Sequence, residues 1–221
     1  DLEPQKDSSF EIFPVPKVIK EGFEIRNLRF TYAGGAKPVL NDISFKLKSG
    51  EKLAFVGENG AGKTTLIKLI LRFYEPDSGS ILLDGVDIRH YDKADYQQLF
   101  GVIFQDFIKY DFSVGENIGI GKVESIDDNA LIAKAAELSL ADKVIESLQL
   151  KYDQQLGRRF NNGIELSGGQ WQKIALGRAY MKDALCMILD EPTSALDVLT
   201  QSNIMNLLKQ IKCESNTSFI L

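Results

Sequence analysis

Glycines, a lysine and a hydroxyl at fixed spacing form the part of this chain best suited to chemistry. Residues 57–64 read G-E-N-G-A-G-K-T, which fits the phosphate-loop pattern G-x-x-x-x-G-K-[ST]. The glycines let successive backbone N–H groups turn inward around phosphate oxygens, while Lys63 adds a positive charge and Thr64 offers a hydroxyl to Mg²⁺. The structural alternative is a glycine turn before a helix with an incidental lysine.

The residues on either side of this string favour phosphate binding. The apolar run at residues 53–56 predicts a buried strand, and residues 64–73 predict an apolar-rich helix. A strand, a glycine loop and a helix in this order are the setting that the mechanism requires. The residues expected to contact the bound phosphates are Gly57, Glu58, Asn59, Gly60, Ala61, Gly62, Lys63, Thr64 and Thr65.

An acidic pair follows a second apolar run. Residues 186–189 predict a buried strand, which delivers Asp190 and Glu191 to the strand end where ligands of open α/β sheets bind. Asp190 is predicted to hold a metal ion, directly or through water, and Glu191 to orient or deprotonate an attacking water. The alternative is a solvated strand end without chemistry.

A third string at residues 166–170 reads L-S-G-G-Q and opens a predicted helix. Ser167, Gly168 and Gly169 offer a hydroxyl and N–H groups to an anion there, and an ordinary N-cap followed by glycines is the alternative. A nucleotide seated on residues 57–64 needs no second cradle in its own domain. We therefore expect this string to serve a nucleotide bound to another copy of the chain.

Hydrophobic periodicity predicts the elements that position these strings. Predicted strands lie at residues 23–30 (with one slip in the alternation), 43–47, 81–83, 100–104, 184–189 and 217–221, and turns at 33–36 and 84–85. Predicted helices lie at residues 129–138, 142–148, 170–181 and 197–212. Because the later strands alternate with helices, we expect an α/β fold with a mainly parallel sheet, an antiparallel β subdomain from the early strands and a helical subdomain.

Composition is that of an ordinary globular protein. The 221 residues, 44% hydrophobic, suffice for one large domain or two small ones. The net charge of -5 gives no electrostatic footprint for nucleic acid, and no run approaches the ~18 apolar residues that span a bilayer. Cys186, expected in the core, and Cys213 lack disulfide or metal spacing, which is typical of a reducing cytosol. Residues 1–20 carry three of the six prolines and predict an extended linker.

Together the three strings resemble the nucleotide-binding domain of ATP-binding cassette (ABC) transporters, which has a P-loop NTPase core. The resemblance covers nearly the whole chain after residue 20 and implies ATP and Mg²⁺ as ligands. It implies a head-to-tail homodimer, in which each ATP lies between residues 57–64 of one copy and the signature of the other. The signature residues are Ser167, Gly168, Gly169 and Gln170.

The same resemblance assigns roles to further residues. Tyr32 matches the aromatic residue that stacks on adenine, and the alternative is a core aromatic at a strand end. Gln105 matches a glutamine that contacts Mg²⁺ and takes part in catalysis with Lys63 and Glu191. Residues 194–197 are similar to the loop that meets the partner subunit's site.

Within the family, the sequence is similar to exporters whose nucleotide-binding domain follows a membrane domain. Residues 1–20 match the linker, and residues 21–221 match the domain with a helical subdomain at about 106–182. This implies a transmembrane domain fused on the N-terminal side and a transport-coupled ATPase at the cytoplasmic face of the cell membrane, the present piece being soluble. Residues 156–165 are similar to bacterial peptide or lantibiotic exporters, which implies a peptide substrate.

One departure concerns the family's switch histidine, which would follow the strand that begins near Thr217. The chain's single histidine, His90, lies in a polar stretch and is expected at the surface without that role. We therefore expect the C-terminal part of the domain to be missing, and hydrolysis by this piece to be poor although ATP binds.

Two other classes of phosphate-loop protein are alternatives. One is a soluble ABC-type ATPase that acts on nucleic acid or ribosomes. Relatives that act on chromosomes insert long coiled coils between the phosphate loop and the signature, yet here the two strings lie only about a hundred positions apart. Relatives that act on ribosomes carry two cassettes in one chain, and only one is present here. The other alternative, a kinase or similar enzyme, is disfavoured by the L-S-G-G-Q string and by Glu191 directly after Asp190. No nucleic-acid partner is expected.

Overall fold

A computed structural model gives the structure of the chain and describes residues 11–58, 60–104, 106–159, 162–182, 184–190 and 218–220. The strands are β1 (Gly22–Phe30), β2 (Leu40–Lys48), β3 (Lys52–Leu53), β4 (Ser78–Leu83), β5 (Val86–Asp87), β6 (Phe100–Ile103), β7 (Cys186–Leu189) and β8 (Ser218–Ile220). The α-helices are α1 (Lys63–Ile70), α2 (Lys93–Gln98), α3 (Val114–Gly119), α4 (Asn129–Leu138), α5 (Asp142–Glu146) and α6 (Gly168–Tyr180). Short 3₁₀ helices occur at Ile88–His90, Val123–Ser125 and Lys151–Asp153.

The described residues form two compact units. The first unit comprises those within 11–51 and 56–99, and the second those within 52–55, 100–190 and 218–220. In the first unit, an antiparallel sheet has the strand order β2-β1-β4-β5, which confirms the predicted antiparallel layer. In the second, the order β3-β8-β7-β6 is parallel throughout, which confirms the predicted parallel sheet.

The slip in the alternation of β1 is a bulge. Ile25 and Leu28 are three positions apart and both are buried, which a regular strand with its period of two does not allow. The pairing register shifts between them, and Asn27 there adopts a φ of 45°. Because asparagine tolerates the left-handed region, the bulge keeps both apolar side chains on the core face.

The chain that leads into β1 is fixed to this sheet. Asp84 and Gly85, with φ of 50° and 81°, form the tight turn predicted between β4 and β5. The Asp84 carboxylate accepts hydrogen bonds from the backbone N–H groups of Lys20, Glu21 and Gly22. The end of the predicted linker is thus hydrogen-bonded to the turn between β4 and β5.

His90 lies close to the same lead-in segment. It is half-buried rather than fully at the surface, with its Nδ1 3.1 Å from the carbonyl oxygen of Glu11. Its own carbonyl oxygen accepts a hydrogen bond from the N–H of Phe13 at 2.7 Å. These contacts give His90 a structural role in holding residues 11–13.

Helix α1 ends earlier than its apolar sequence predicts. Phe73 N–H donates to the Lys68 carbonyl at 2.8 Å, and Arg72 between them takes a φ of 55°, as in a helix-ending Schellman motif. This position favours glycine. Arg72 is held in this conformation by its guanidinium group, which donates to the carbonyl oxygens of Ile88 and Tyr91 at 2.9 and 2.7 Å.

The buried strand predicted at residues 53–56 is wrong in its extent. β3 covers only Lys52–Leu53, and the side chain of Val56 is 96% exposed. The register places Leu53 opposite Ile220, the last described residue of β8. Residues 54–56 lie outside β3.

Strand β7 and the helices supply the core of the second unit. All four residues of β7 are buried, and burial raises the pKa of the Cys186 thiol above its usual value, which confirms Cys186 as a core residue. Helix α4 has its predicted bounds, whereas α5 is shorter, and the predicted helix at 197–212 lies outside the described residues. No described helix has the length and apolar composition needed to cross a membrane. A buried cluster in this unit includes Val114, Ile118, Ile132, Val144, Leu156, Trp171 and Ile174.

Candidate functional site

In the first unit, the predicted phosphate loop turns directly into α1. Gly62 is the N-cap of this helix with a φ of 93°, and Gly60 has a φ of 84°, a region that glycine enters without steric cost. A Cβ atom on Gly62 would lie 2.8 Å from Cδ2 of Leu40. Both backbone conformation and packing therefore require glycine at the position that the pattern specifies.

Positive charge gathers at this turn. The ammonium group of Lys63 donates to the carbonyl oxygens of Gly57 at 2.7 Å and Glu58 at 3.3 Å. The first N–H groups of a helix have no acceptor within the helix and form the positive end of its dipole. The first turn of α1 carries no acidic residue, so a phosphate group fits both the hydrogen-bond donors and the charge.

Tyr32 lies against the same helix. Its hydroxyl oxygen is 3.1 Å from that of Thr65, which is in the first turn of α1 and only 6% exposed. The structure thus brings together the residue predicted to contact adenine and the helix that follows the phosphate loop. Thr64, the predicted metal ligand, is half-buried in the same turn.

In the second unit, the L-S-G-G-Q string forms the start of α6. The Ser167 hydroxyl accepts from Gln170 N–H at 3.3 Å, and the Gln170 side-chain oxygen accepts from Ser167 N–H at 2.9 Å, which is a capping box. The N-cap alternative is therefore realised. It leaves room for ligand binding, because a hydroxyl that accepts can also donate, and Gly168 and Gly169 supply N–H groups without intrahelical acceptors.

Asp190 follows β7 directly. Its side chain is buried, with the residue only 4% exposed, and its N–H donates to the Ile103 carbonyl at 2.9 Å, so it lies beside the end of β6. A carboxylate oxygen is a ligand that Mg²⁺ prefers, which suits Asp190. The described residues contain no group of three or more His, Cys, Asp or Glu side chains that could hold a metal by themselves. Mg²⁺ bound through few protein ligands normally shares the substrate's phosphate oxygens.

Several predicted site residues lie outside the described residues. They are Asn59, Gln105, Glu191 and the segment at 194–197. Their roles stay predictions.

Sequence reasoning missed Arg178, a cation on α6. Its guanidinium donates to the backbone carbonyl and side-chain oxygen of Asn117 at 2.8 and 2.7 Å and to the carbonyl of Ile108, and it lies 4.9 Å from the ring centroid of Tyr110. Burial lowers its pKa to about 10, an effect that Tyr110 opposes. Arg178 thereby fastens α3 and the preceding segment to the helix that Ser167 caps. The sequence signal that could have revealed this role is the position of Arg178 among apolar residues of α6.

Comparison with known proteins decides the family. The model of the family described as "ABC transporter" matches residues 40–194, which span the phosphate loop, the L-S-G-G-Q string and the acidic pair. The chain belongs to the ABC transporter family. This confirms the predicted P-loop ATPase fold of the ABC type.

Similar ABC proteins are transporter components. The subtilin transport ATP-binding protein SpaT of Bacillus subtilis is 40% identical over 80% of this chain and 29% of the relative. A β-(1→2)glucan export ATP-binding/permease protein NdvA of Agrobacterium vitis is 39% identical over 93% of this chain and 34% of the relative. The chain thus spans about a third of the length of these relatives.

A solved ABC structure has the same fold. It is that of a bacterial Atm1-family ABC exporter with ATP bound, which aligns with a TM-score of 0.78 and 30% identity over 97% of this chain and 37% of the other. The chain is therefore an ATPase domain of the ABC transporter family, similar in sequence and fold to those of named exporters.

Proposed function

We propose that this domain binds and hydrolyses Mg-ATP to drive export, as one of two copies that close head-to-tail around two nucleotides. The phosphate loop carries the proposal. The Lys63 ammonium lies over the loop carbonyls at the N-terminus of α1, whose first turn contains no acidic residue. A triphosphate supplies the negative charge and acceptor oxygens that suit this arrangement.

Each residue then has a defined task in the reaction. Lys63 and the loop N–H groups bind the β- and γ-phosphates, and Tyr32 stacks on adenine. Thr64 and Asp190 would hold Mg²⁺, which would neutralise charge on the phosphate oxygens. Glu191 orients the attacking water and accepts its proton.

Gln105 and the signature complete the proposed assembly. Gln105 would contact the Mg²⁺ ion. Ser167, Gly168 and Gly169 donate hydrogen bonds to the nucleotide held by the partner copy. Their exposure supports this role for Ser167 and Gly168, which lie at the outer end of α6, because an anion-binding helix end must be reachable from outside its own unit.

The proposal extends to a membrane domain fused on the N-terminal side, with this domain at the cytoplasmic face. Relatives named as export ATP-binding/permease proteins support the fusion. Likeness to a subtilin transport protein supports a peptide as the exported substrate, and other relatives are named for glucan or lipid A. Transport of a labelled peptide into inverted vesicles tests this extension.

Complementation between two inactive variants tests the shared site. Lys63→Ala removes the phosphate-loop lysine, and Ser167→Asp places a negative charge in the signature. Co-expressed with different affinity tags and purified through both, the mixed pair retains one site with an intact loop and an intact signature. With both changes made in the protein that carries this domain, phosphate release from Mg-ATP should return in the mixed pair and be absent from each variant alone. A mixed pair as inactive as its parents would contradict the proposal.

A further inference from the structure

The Tyr32–Thr65 contact joins two separate elements of the first unit. Tyr32 follows the end of β1, and Thr65 lies in the first turn of α1, 33 positions later. Their hydroxyl oxygens are 3.1 Å apart, within hydrogen-bond range. The Thr65 hydroxyl is on a buried residue, where an unpaired hydroxyl would be unfavourable. The contact therefore fixes the far end of the Tyr32 side chain relative to the phosphate loop.

Two neighbouring rings hold the body of the Tyr32 side chain. Phe30 lies 4.9 Å from it between centroids with an interplanar angle of 82°, and Tyr74 lies 5.4 Å away at 88°. Both are edge-to-face contacts, which aromatic pairs favour. Neither the Phe30 ring nor the Tyr74 ring is therefore stacked face-to-face on the Tyr32 ring.

The backbone of Tyr32 is held as well. Its carbonyl oxygen accepts a hydrogen bond from Gly35 N–H at 2.8 Å, which closes the turn after the ring. A Cβ atom on Gly35 would lie only 3.0 Å from that carbonyl oxygen, so glycine permits the close approach. Backbone, ring and hydroxyl of Tyr32 are thus all restrained by other residues of the first unit.

From this we propose that Thr65 is a positioning residue for the nucleobase. Its hydroxyl holds the Tyr32 ring at a set place relative to the phosphate loop, before the nucleotide arrives. A ring already ordered loses less conformational freedom when a base stacks on it, and preorganisation of this kind strengthens binding. The inference rests on the proposed ATP-binding function, and it assigns the Thr65 hydroxyl to the base end of the ligand rather than to the phosphates.

A double-mutant cycle with two probes tests this role. The variants are Tyr32→Phe, which keeps the ring, Thr65→Val, which keeps the shape, and the double variant. Dissociation constants are measured by calorimetry for Mg-ATP and for Mg-tripolyphosphate, which lacks a base. Each single variant should bind Mg-ATP about 2- to 10-fold more weakly, the effect of one hydrogen bond. The double variant should be no weaker than either single variant, and tripolyphosphate binding should be unchanged throughout.

Two controls separate positioning from general destabilisation. Thr65→Ser restores a hydroxyl and should keep the wild-type affinity for Mg-ATP. Tyr91→Phe removes a different buried hydroxyl of the first unit, one that donates to the Leu83 carbonyl at 3.2 Å, and should leave the affinity unchanged.

Three outcomes would overturn the inference while leaving ATP binding in place. They are unchanged Mg-ATP affinity in the single variants, losses that multiply in the double variant, and an equal weakening of tripolyphosphate binding by Thr65→Val. Absence of Mg-ATP binding by the wild-type chain would instead overturn the proposed function together with the inference.

Discussion

The ammonium nitrogen of Lys63 lies 2.7 Å from the carbonyl oxygen of Gly57, so the first residue of α1 reaches back over the loop that precedes it. This hydrogen bond joins a cation to a neutral acceptor. Charge-assisted bonds between two ions are stronger, so a phosphate oxygen competes well for the same ammonium group. The contact therefore places the Lys63 ammonium group at the loop, where a phosphate oxygen can replace the Gly57 carbonyl as its acceptor.

Replacing Lys63 by alanine should weaken Mg-ATP binding by about 10- to 150-fold, because a hydrogen bond to a charged group contributes about 1.5–3 kcal/mol. Calorimetry on the purified chain measures the change. Lys68→Ala, which removes a cation from the last turn of the same helix, is the matched control and should bind normally. An equal loss of Mg-ATP affinity in both variants would mean that Lys63 contributes only to the net charge of the helix and makes no specific contact with the phosphates.

Glu191→Gln should preserve Mg-ATP affinity and slow phosphate release by about 10²–10⁴-fold, the usual effect of a general base. The amide keeps the size of the side chain but cannot accept the proton of water. Single-turnover phosphate release in the protein that carries this domain checks the rate. Glu137→Gln makes the same change at an exposed position of α4 and should turn over normally. Normal turnover by Glu191→Gln would remove Glu191 from this role.

Ser167 has both a capping role and a proposed ligand role, and two substitutions separate them. Asparagine and aspartate cap helices about as well as serine, so Ser167→Asn and Ser167→Asp should both keep the stability of α6. Only Ser167→Asp puts a negative charge where the partner's triphosphate is proposed to bind. We expect it to lose more ATP-dependent pairing than Ser167→Asn does, measured by sedimentation. Equal pairing in both variants would show that no anion approaches Ser167.

Arg178→Met should lower the free energy of unfolding by about 1–3 kcal/mol, because it leaves carbonyl oxygens of Asn117 and Ile108 without their donor. The midpoint of urea unfolding measures the loss. Lys134→Met, at an exposed position of α4, removes a cation from the same unit and should leave the midpoint in place. A similar midpoint for both variants would argue that the Arg178 contacts contribute little.

Local sequence signals predicted most of the fold. Tight turns such as Asp84–Gly85 and the cap at Ser167 depend on the conformational preferences of the residues themselves. Strand β1 was recognisable because its buried residues keep their period on both sides of the bulge. The family resemblance rested on three short strings whose residue types have few other uses at that spacing.

Contacts between residues far apart in the chain could not be predicted from local sequence signals. The Tyr32–Thr65 bond joins residues 33 positions apart, and Arg178 reaches a carbonyl 70 positions away, so neither has a local pattern. The end of α1 was misjudged because Arg72 occupies a position that usually signals itself by glycine. An apolar run also predicted a longer β3, although strand length depends on the partner strand as much as on composition.

The most direct measurement of the central claim is the mass of the Glu191→Gln chain in light scattering, with and without Mg-ATP. If the nucleotide completes an interface between two copies, the particle should contain one chain without nucleotide or with ADP, and two chains at saturating Mg-ATP. Introducing Ser167→Asp into the same chain should return it to one. A chain that binds Mg-ATP by calorimetry yet remains single at every concentration would contradict the account.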